Sequence, residues 1–199
     1  MRVFNGLLIL ILFTSCVNDE PILSSVETMV VTNLDASAIS LPGKPQSGNF
    51  VKFSFKKHSV VSGDDWDIAF RSTTILVNGG FSGASDEPER SGIGAGYVSD
   101  IEYGNVKNVN ENLFKQDSET SKAILDESGK GWYNEDGFLI IPITGRTLIF
   151  KTHNGRYAKM KIQSFYKNSP QILNVISSIP EYYTFNYTYQ PNKGLNSFD

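Results

Sequence analysis

One cysteine, two histidines and a few tight groups of carboxylates are all that the chain offers for covalent or acid–base chemistry. Asp86, Glu87 and Glu89 cluster, as do Asp126 with Glu127 and Glu135 with Asp136. Hydrolysis of a glycoside needs two carboxyl groups held about 5 to 9.5 Å apart across the sugar, with Trp66 and Trp132 as the residues able to stack on it. Solvated loop acids are the plainer reading, because Trp66 falls on the inward face of a strand. His58 follows Lys56-Lys57, and His153 sits in Thr152-His153-Asn154-Gly155. Both read as surface positions, and they support neither a Ser/His/Asp nor a Cys/His set. No paired, closely spaced zinc ligands occur. Gly92-Ile93-Gly94-Ala95-Gly96 lacks the Gly-Lys-Ser/Thr of a phosphate loop, continuing instead as Tyr97-Val98-Ser99-Asp100. An acidic segment precedes it where a dinucleotide fold needs a strand. Those glycines read as flexible backbone packed near a strand or a ligand, and the chain as a binder, not an enzyme.

The thiol has a more definite chemistry. Arg2 gives a positive start, Leu7 to Phe13 is wholly apolar, and Phe13-Thr14-Ser15 leads with small residues into Cys16. The run is far below the ~20 residues of a membrane-spanning helix, and its flanks are those of a cleaved export signal. This is the pattern of a bacterial lipoprotein: residues 1–15 as signal peptide, and Cys16 as the first mature residue, acylated on sulfur and anchored in membrane lipid. Residues 16–25 then read as a lipidated tether. Behind the cysteine, Asp19 and Glu20 resemble the acidic signal by which lipoproteins of the Bacteroides group reach the outside of the outer membrane.

Lipidation occupies the only cysteine, so an exported chain of this composition must hold together by packing, without disulfides. Residues 26–199 are enough for a single domain with a substantial core, and nine tyrosines and thirteen phenylalanines can fill it. A net charge of −3 sets up no field that would attract nucleic acid.

The elements that must position any site are strands. Val51, Phe53 and Phe55 alternate with Lys52, Ser54 and Lys56, and Asp65 to Arg71 repeats the pattern with Trp66, Ile68 and Phe70 inward. Thr74 to Val77 continues until Asn78-Gly79-Gly80 breaks the run. Arg146 to Lys151 and Arg156 to Tyr166 flank Asn154-Gly155, which suits a tight hairpin turn. Tyr183, Phe185, Tyr187 and Tyr189 alternate along the last strand, which stops before Pro191. Helical signal is confined to about two turns over Ser118 to Leu125, capped by Asp117 or Ser118. The class is all-β, of antiparallel sheets with at most one or two short helices. Gly79 to Gly131 lacks sustained alternation and is the first place to look for binding.

Several stretches in order resemble the HmuY-type haem-binding lipoproteins of Bacteroidetes. They are Asn49 to Phe55, Asp65 to Arg71, the Asn78-Gly79-Gly80 break, Asn154 to Tyr166 with its Tyr-Ala-Lys-Met-Lys-Ile core, and Tyr182 to Gln190. The resemblance implies an all-β domain whose finger-like extensions grip haem at the cell surface and pass it to a TonB-dependent outer-membrane transporter. It also implies two histidines, or methionines in their place, as iron ligands, drawn from the segments between the second conserved strand and the final hairpin. Gly79 to Thr152 contains neither residue type. The residues left as haem contacts are Tyr97, Tyr103 and Tyr133, since tyrosine ligates ferric iron in catalase, with His58 and His153 as more distant alternatives. The other occupant of the same fold is a non-haem ligand, a glycan or a partner protein.

Overall fold

The computed structural model describes residues 22–199. The signal peptide, Cys16, Asp19 and Glu20 lie outside the described residues. Eleven strands follow in order: β1 (Glu27–Asp35), β2 (Val51–Ser54), β3 (Ser59–Val60), β4 (Ile68–Arg71), β5 (Thr74–Val77), β6 (Ala95–Ser99), β7 (Tyr133–Asp136), β8 (Leu139–Pro142), β9 (Thr147–Lys151), β10 (Tyr157–Tyr166) and β11 (Pro180–Gln190). All strand pairs are antiparallel: a five-stranded sheet β1-β11-β10-β9-β6, a four-stranded sheet β3-β2-β4-β5, and the separate β7–β8 hairpin.

Alternation explains why the two larger sheets face each other. Tyr183, Phe185, Tyr187 and Tyr189 of β11 are buried, and with Met160 and Phe150 they meet Phe53, Phe55, Ile68 and Phe70 of the smaller sheet in one core. Phe53 stands edge-on to Phe185 at 5.6 Å and to Tyr187 at 5.8 Å, a favoured aromatic geometry. Each such side chain contributes roughly 1.5 to 3 kcal/mol on burial, which fits a fold made without disulfides. Trp66 is fully buried but packs apart from this core, with Ala69 and Leu76. It precedes the first residue of β4, so the inward alternation begins at Ile68.

Gly155 takes φ +82° in the β9–β10 turn, as its sequence indicates. The glycines before β6 are packed tightly. The Asn78 carbonyl accepts from the Gly94 amide at 2.7 Å, and a Cβ on Gly79 would lie 2.0 Å from the Gly94 oxygen. They are there to let two backbones cross.

Between Gly79 and Gly131 the chain forms only β6 and two short 3₁₀ turns, Tyr103–Asn105 and Glu111–Leu113. Buried ion pairs hold it: Arg90 meets Glu87 at 2.8 Å and Asp117 at 3.0 Å, and Lys122 meets the other Glu87 oxygen. The segment expected to be helical, Ser118 to Leu125, has no helix. Its cap is otherwise engaged, since Asp117 accepts from the Val77 and Ala123 amides at 3.0 and 2.9 Å and thereby ties the segment to β5.

Strand register gives the sandwich two ends. At one, here the base, lie the β9–β10 turn, the start of β1 and the end of β11. Ser24 and Asn192 exchange hydrogen bonds of 2.9 and 2.7 Å there. At the other end β10 and β11 run beyond β9, the β4–β5 turn closes, and the β7–β8 hairpin packs against β10.

Candidate functional site

A cavity of 350 Å³ opens at this second end, between the β7–β8 hairpin and the β10–β11 connection. Its floor is Tyr133 of β7 with Phe165 and Tyr166 at the end of β10; Phe138 to Ile140 form one wall, and Val175, Ser178 and Pro180 the other. Ser72 and Thr73 of the β4–β5 turn close a third side. The Tyr166 hydroxyl accepts from the Ile140 amide at 2.9 Å, which sets the hairpin against β10. The Trp132 indole donates to the Thr73 carbonyl at 2.8 Å and so fixes the approach to β7.

This end leaves apolar surface in water. Phe138 at the hairpin tip is 94% exposed, and Ile172 and Ile176 in the facing connection are 86% and 93% exposed. Val175 and Ile179 add to the same connection. Large apolar side chains gathered on two projecting elements beside a cavity mark a binding surface rather than scattered exposure. Their sequence signal is modest: Pro170 to Pro180 is loop-like in its prolines and serines yet carries Ile172, Leu173, Val175, Ile176 and Ile179.

The walls set aromatic surface beside polar side chains. Aromatic and aliphatic groups share the lining with Gln46, Ser72, Thr73 and Ser178, and among the described residues no histidine, methionine, cysteine, lysine or arginine lines the cavity. Among the described residues its charged lining groups are Glu135 and Glu181. The Glu181 carboxylate accepts from the Ala38 amide at 3.0 Å, which anchors it at the mouth. Tyr133 donates to Asp126 at 3.2 Å. Burial, reinforced by the Asp126 charge, pushes its phenol up to about 12, so it stands as a neutral donor and not as a phenolate. These residues fit the ring of a tetrapyrrole. They do not fit its iron, for which neither imidazole nor thioether is at hand.

The structure separates the tyrosines and histidines that the sequence groups together. Tyr133 alone borders the cavity. Tyr97 and Tyr103 lie on the outer face of the five-stranded sheet: Tyr97 accepts from the Asn110 amide at 3.0 Å, and Tyr103 shares a hydrogen bond of 2.5 Å with Thr188. Burial raises the pKa of both phenols.

His58 and His153 are at the base, the end away from the cavity. His58 shares a 2.5 Å hydrogen bond with the Tyr187 hydroxyl through Nδ1 and meets Glu27 at 2.9 Å through Nε2. Tyr187 also reaches the Phe55 carbonyl at 3.4 Å. On the other side of that residue, the Phe55 amide donates to buried Asp67 at 2.8 Å, and Asp67 accepts from the His153 backbone at 3.1 Å and its ring at 2.7 Å. Both imidazoles are therefore half-buried members of one polar chain rather than free surface groups. Among the described residues no cluster of three or more His, Cys, Asp or Glu side chains suits a metal ion.

A family model described as HmuY protein matches residues 46–187. No curated protein matches the chain in sequence. Among solved structures the chain is similar to the apo HmuY analogue of Tannerella forsythia, with a TM-score of 0.50 and 11% identity, covering 85% of this chain and 99% of that one. A Bacteroides vulgatus protein provisionally named HmuY-like and haem-binding gives 0.48 and 15%, over 84% and 93%. A Bacteroides fragilis protein provisionally named a lipoprotein gives 0.49 and 14%, over 84% and 90%. At such identity the first likeness is one of fold: antiparallel sheets almost without helix.

Proposed function

Because the chain belongs to the HmuY family, we propose that it is a non-catalytic surface lipoprotein that grips haem or a related tetrapyrrole between the β7–β8 hairpin and the β10–β11 connection for uptake. The observation that carries this reading is the cavity flanked by Phe138, Ile172 and Ile176, apolar groups that nothing else in the described fold covers. Burying about 400 Å² of macrocycle yields on the order of 10 kcal/mol gross at ~25 cal/mol per Å². Association costs consume a good part of it, which leaves roughly 6 kcal/mol or less, an affinity of tens of micromolar or weaker without any iron ligand.

The tether accords with this. Acylation of Cys16 anchors the mature chain in outer-membrane lipid, and Asp19 and Glu20 direct it outward. The described chain enters at the base, where Ser24 is pinned to Asn192. The eleven residues of β11 lead from there to the cavity, about 35 Å at strand rise. An anchor at the base thus turns the cavity away from the membrane, toward medium and toward an outer-membrane, TonB-dependent transporter able to take the ligand on.

Titrating residues 26–199, as a single domain, with ferric haemin and with metal-free protoporphyrin tests the proposal through the Soret band. Saturable changes at roughly tens to hundreds of micromolar are expected, and their absence for both ligands contradicts it. A second reading, the same fold holding a glycan or a partner protein, is favoured by the lack of histidine and methionine in the cavity wall and by the acids at its mouth. It predicts no response to either macrocycle.

A further inference from the structure

We infer that this cavity selects its ligand by ring and charge and not by metal: it takes the carboxylate-free edge of a macrocycle, and Glu135 and Glu181 keep the carboxylate edge outside. The inference rests on the tetrapyrrole reading and narrows it. Tyr133, Phe138, Phe165 and Tyr166 present aromatic surface, while Ser72, Thr73 and Ser178 offer neutral hydrogen-bonding groups. Among the described residues the two acids are the only charges in the lining. A porphyrin with two propionates is a dianion concentrated at one edge. Inserted by that edge, it would bring like charges together in a partly desolvated cleft with no cation to offset them.

The contrast with the side of the molecule is informative. A cleft of 250 Å³ beside β6 is lined by Lys115, Lys122 and Lys130 and by no acid. Lys122 is paired with Glu87 and Lys130 with Glu127, which leaves Lys115 as the lysine of that cleft with no ion pair among the described residues, and the larger cavity carries the opposite sign.

Two consequences separate this from recognition through iron. Haemin and metal-free protoporphyrin bind with dissociation constants within about threefold of each other. Neutral probes, the dimethyl esters of these porphyrins solubilised in dilute detergent, bind at least as tightly as the free acids. The test is fluorescence quenching titration of protoporphyrin and its dimethyl ester against the wild type, Glu135→Gln, Glu181→Gln, the double variant and Lys115→Gln. Glutamine at 181 retains an oxygen for the Ala38 amide, so the mouth keeps its shape. The double variant should tighten the free acid roughly threefold to tenfold at low salt, leaving the ester unchanged, with the difference shrinking at 0.5 M salt. Lys115→Gln should change neither.

If the glutamate variants leave the free acid unchanged, or weaken it, the inference is wrong while the tetrapyrrole reading stands. If Lys115→Gln alone weakens the free acid, the macrocycle sits in the lateral cleft and the inference is equally wrong. If neither ligand binds any of the proteins, the reading beneath it fails and takes the inference with it.

Discussion

The base of the sandwich and its open end use side chains in opposite ways. At the base, Glu27, His58, Tyr187, Asp67 and His153 join through the Phe55 backbone into one hydrogen-bonded chain. At the open end, Phe138, Ile172 and Ile176 stand in water on the two elements that flank a cavity, without a hydrogen-bonded chain of that kind. Residues able to do chemistry are spent on holding the fold, and residues without chemical reactivity make the surface that recognises. In a binder this is reasonable, since a rigid base lets two projections keep a fixed gap and so lowers the ordering cost of binding.

Substitutions that strike only one end break or sharpen this contrast. The largest effect is expected from Gly79→Ala at the base, where the new methyl would overlap the Gly94 carbonyl. It should cost on the order of 4 kcal/mol or prevent folding, whereas Gly137→Ala at the hairpin tip, with nothing within 4 Å but φ +62°, should cost about 1 kcal/mol. Urea unfolding of the two variants checks the ratio. Asp67→Ala leaves the Phe55 amide, the His153 amide and the His153 ring without their acceptor; Asp67 is only 1% exposed. A loss of about 3 kcal/mol is expected, with porphyrin affinity of the folded fraction unchanged.

At the open end the pattern reverses. Phe138→Ala combined with Ile176→Ala should move stability by less than about 0.5 kcal/mol yet weaken porphyrin binding about tenfold, near 1.4 kcal/mol. Equal losses in stability and affinity would mean that the projections are packed into the fold after all. The smallest effect concerns alkali. Burial raises the phenol of Tyr133 to about 12, above its ordinary value near 10. The folded state then holds its proton more tightly than the unfolded state, so this contribution is complete below pH 10 and is lost as pH rises from 10 toward 12. Urea midpoints at pH 9, 10 and 11 should fall in sequence, and less steeply for Tyr133→Phe.

The difference between the ends also decides what a reader of the sequence can find. β2, β10 and β11 announce themselves by alternation, with Phe53, Met160 or Tyr187 set among polar neighbours, and β5 and β9 as short apolar runs buried almost throughout. β1 does not, since it forms a sheet edge with most of its residues exposed, and Thr32 and Asn33 interrupt its register with β11. The β7–β8 hairpin carries its own turn signal in Asp136-Gly137. Yet Leu139 to Pro142 reads as a plain apolar run, because a hairpin half-packed on β10 has no clean inward face. Charge and hydrogen bonding were the least legible. That Asp67 would be buried between a strand and a turn, or that Asp117 would bridge β5 and Ala123, depends on partners distant in sequence. The cavity itself arises where five such separated segments meet, so its main trace is a loop between Pro170 and Pro180 too rich in isoleucine for its setting.

The central claim is that the open end recognises the ligand and the histidines do not. It is tested most directly by haemin titration of two double variants, His58→Gln with His153→Gln and Phe138→Ala with Ile176→Ala, each followed in the Soret band. The histidine variant should unfold more easily but bind haemin within about twofold of wild type, while the tip variant should keep its stability and lose about tenfold in affinity. A histidine variant that loses the Soret change, beside a tip variant that binds normally, would contradict the account.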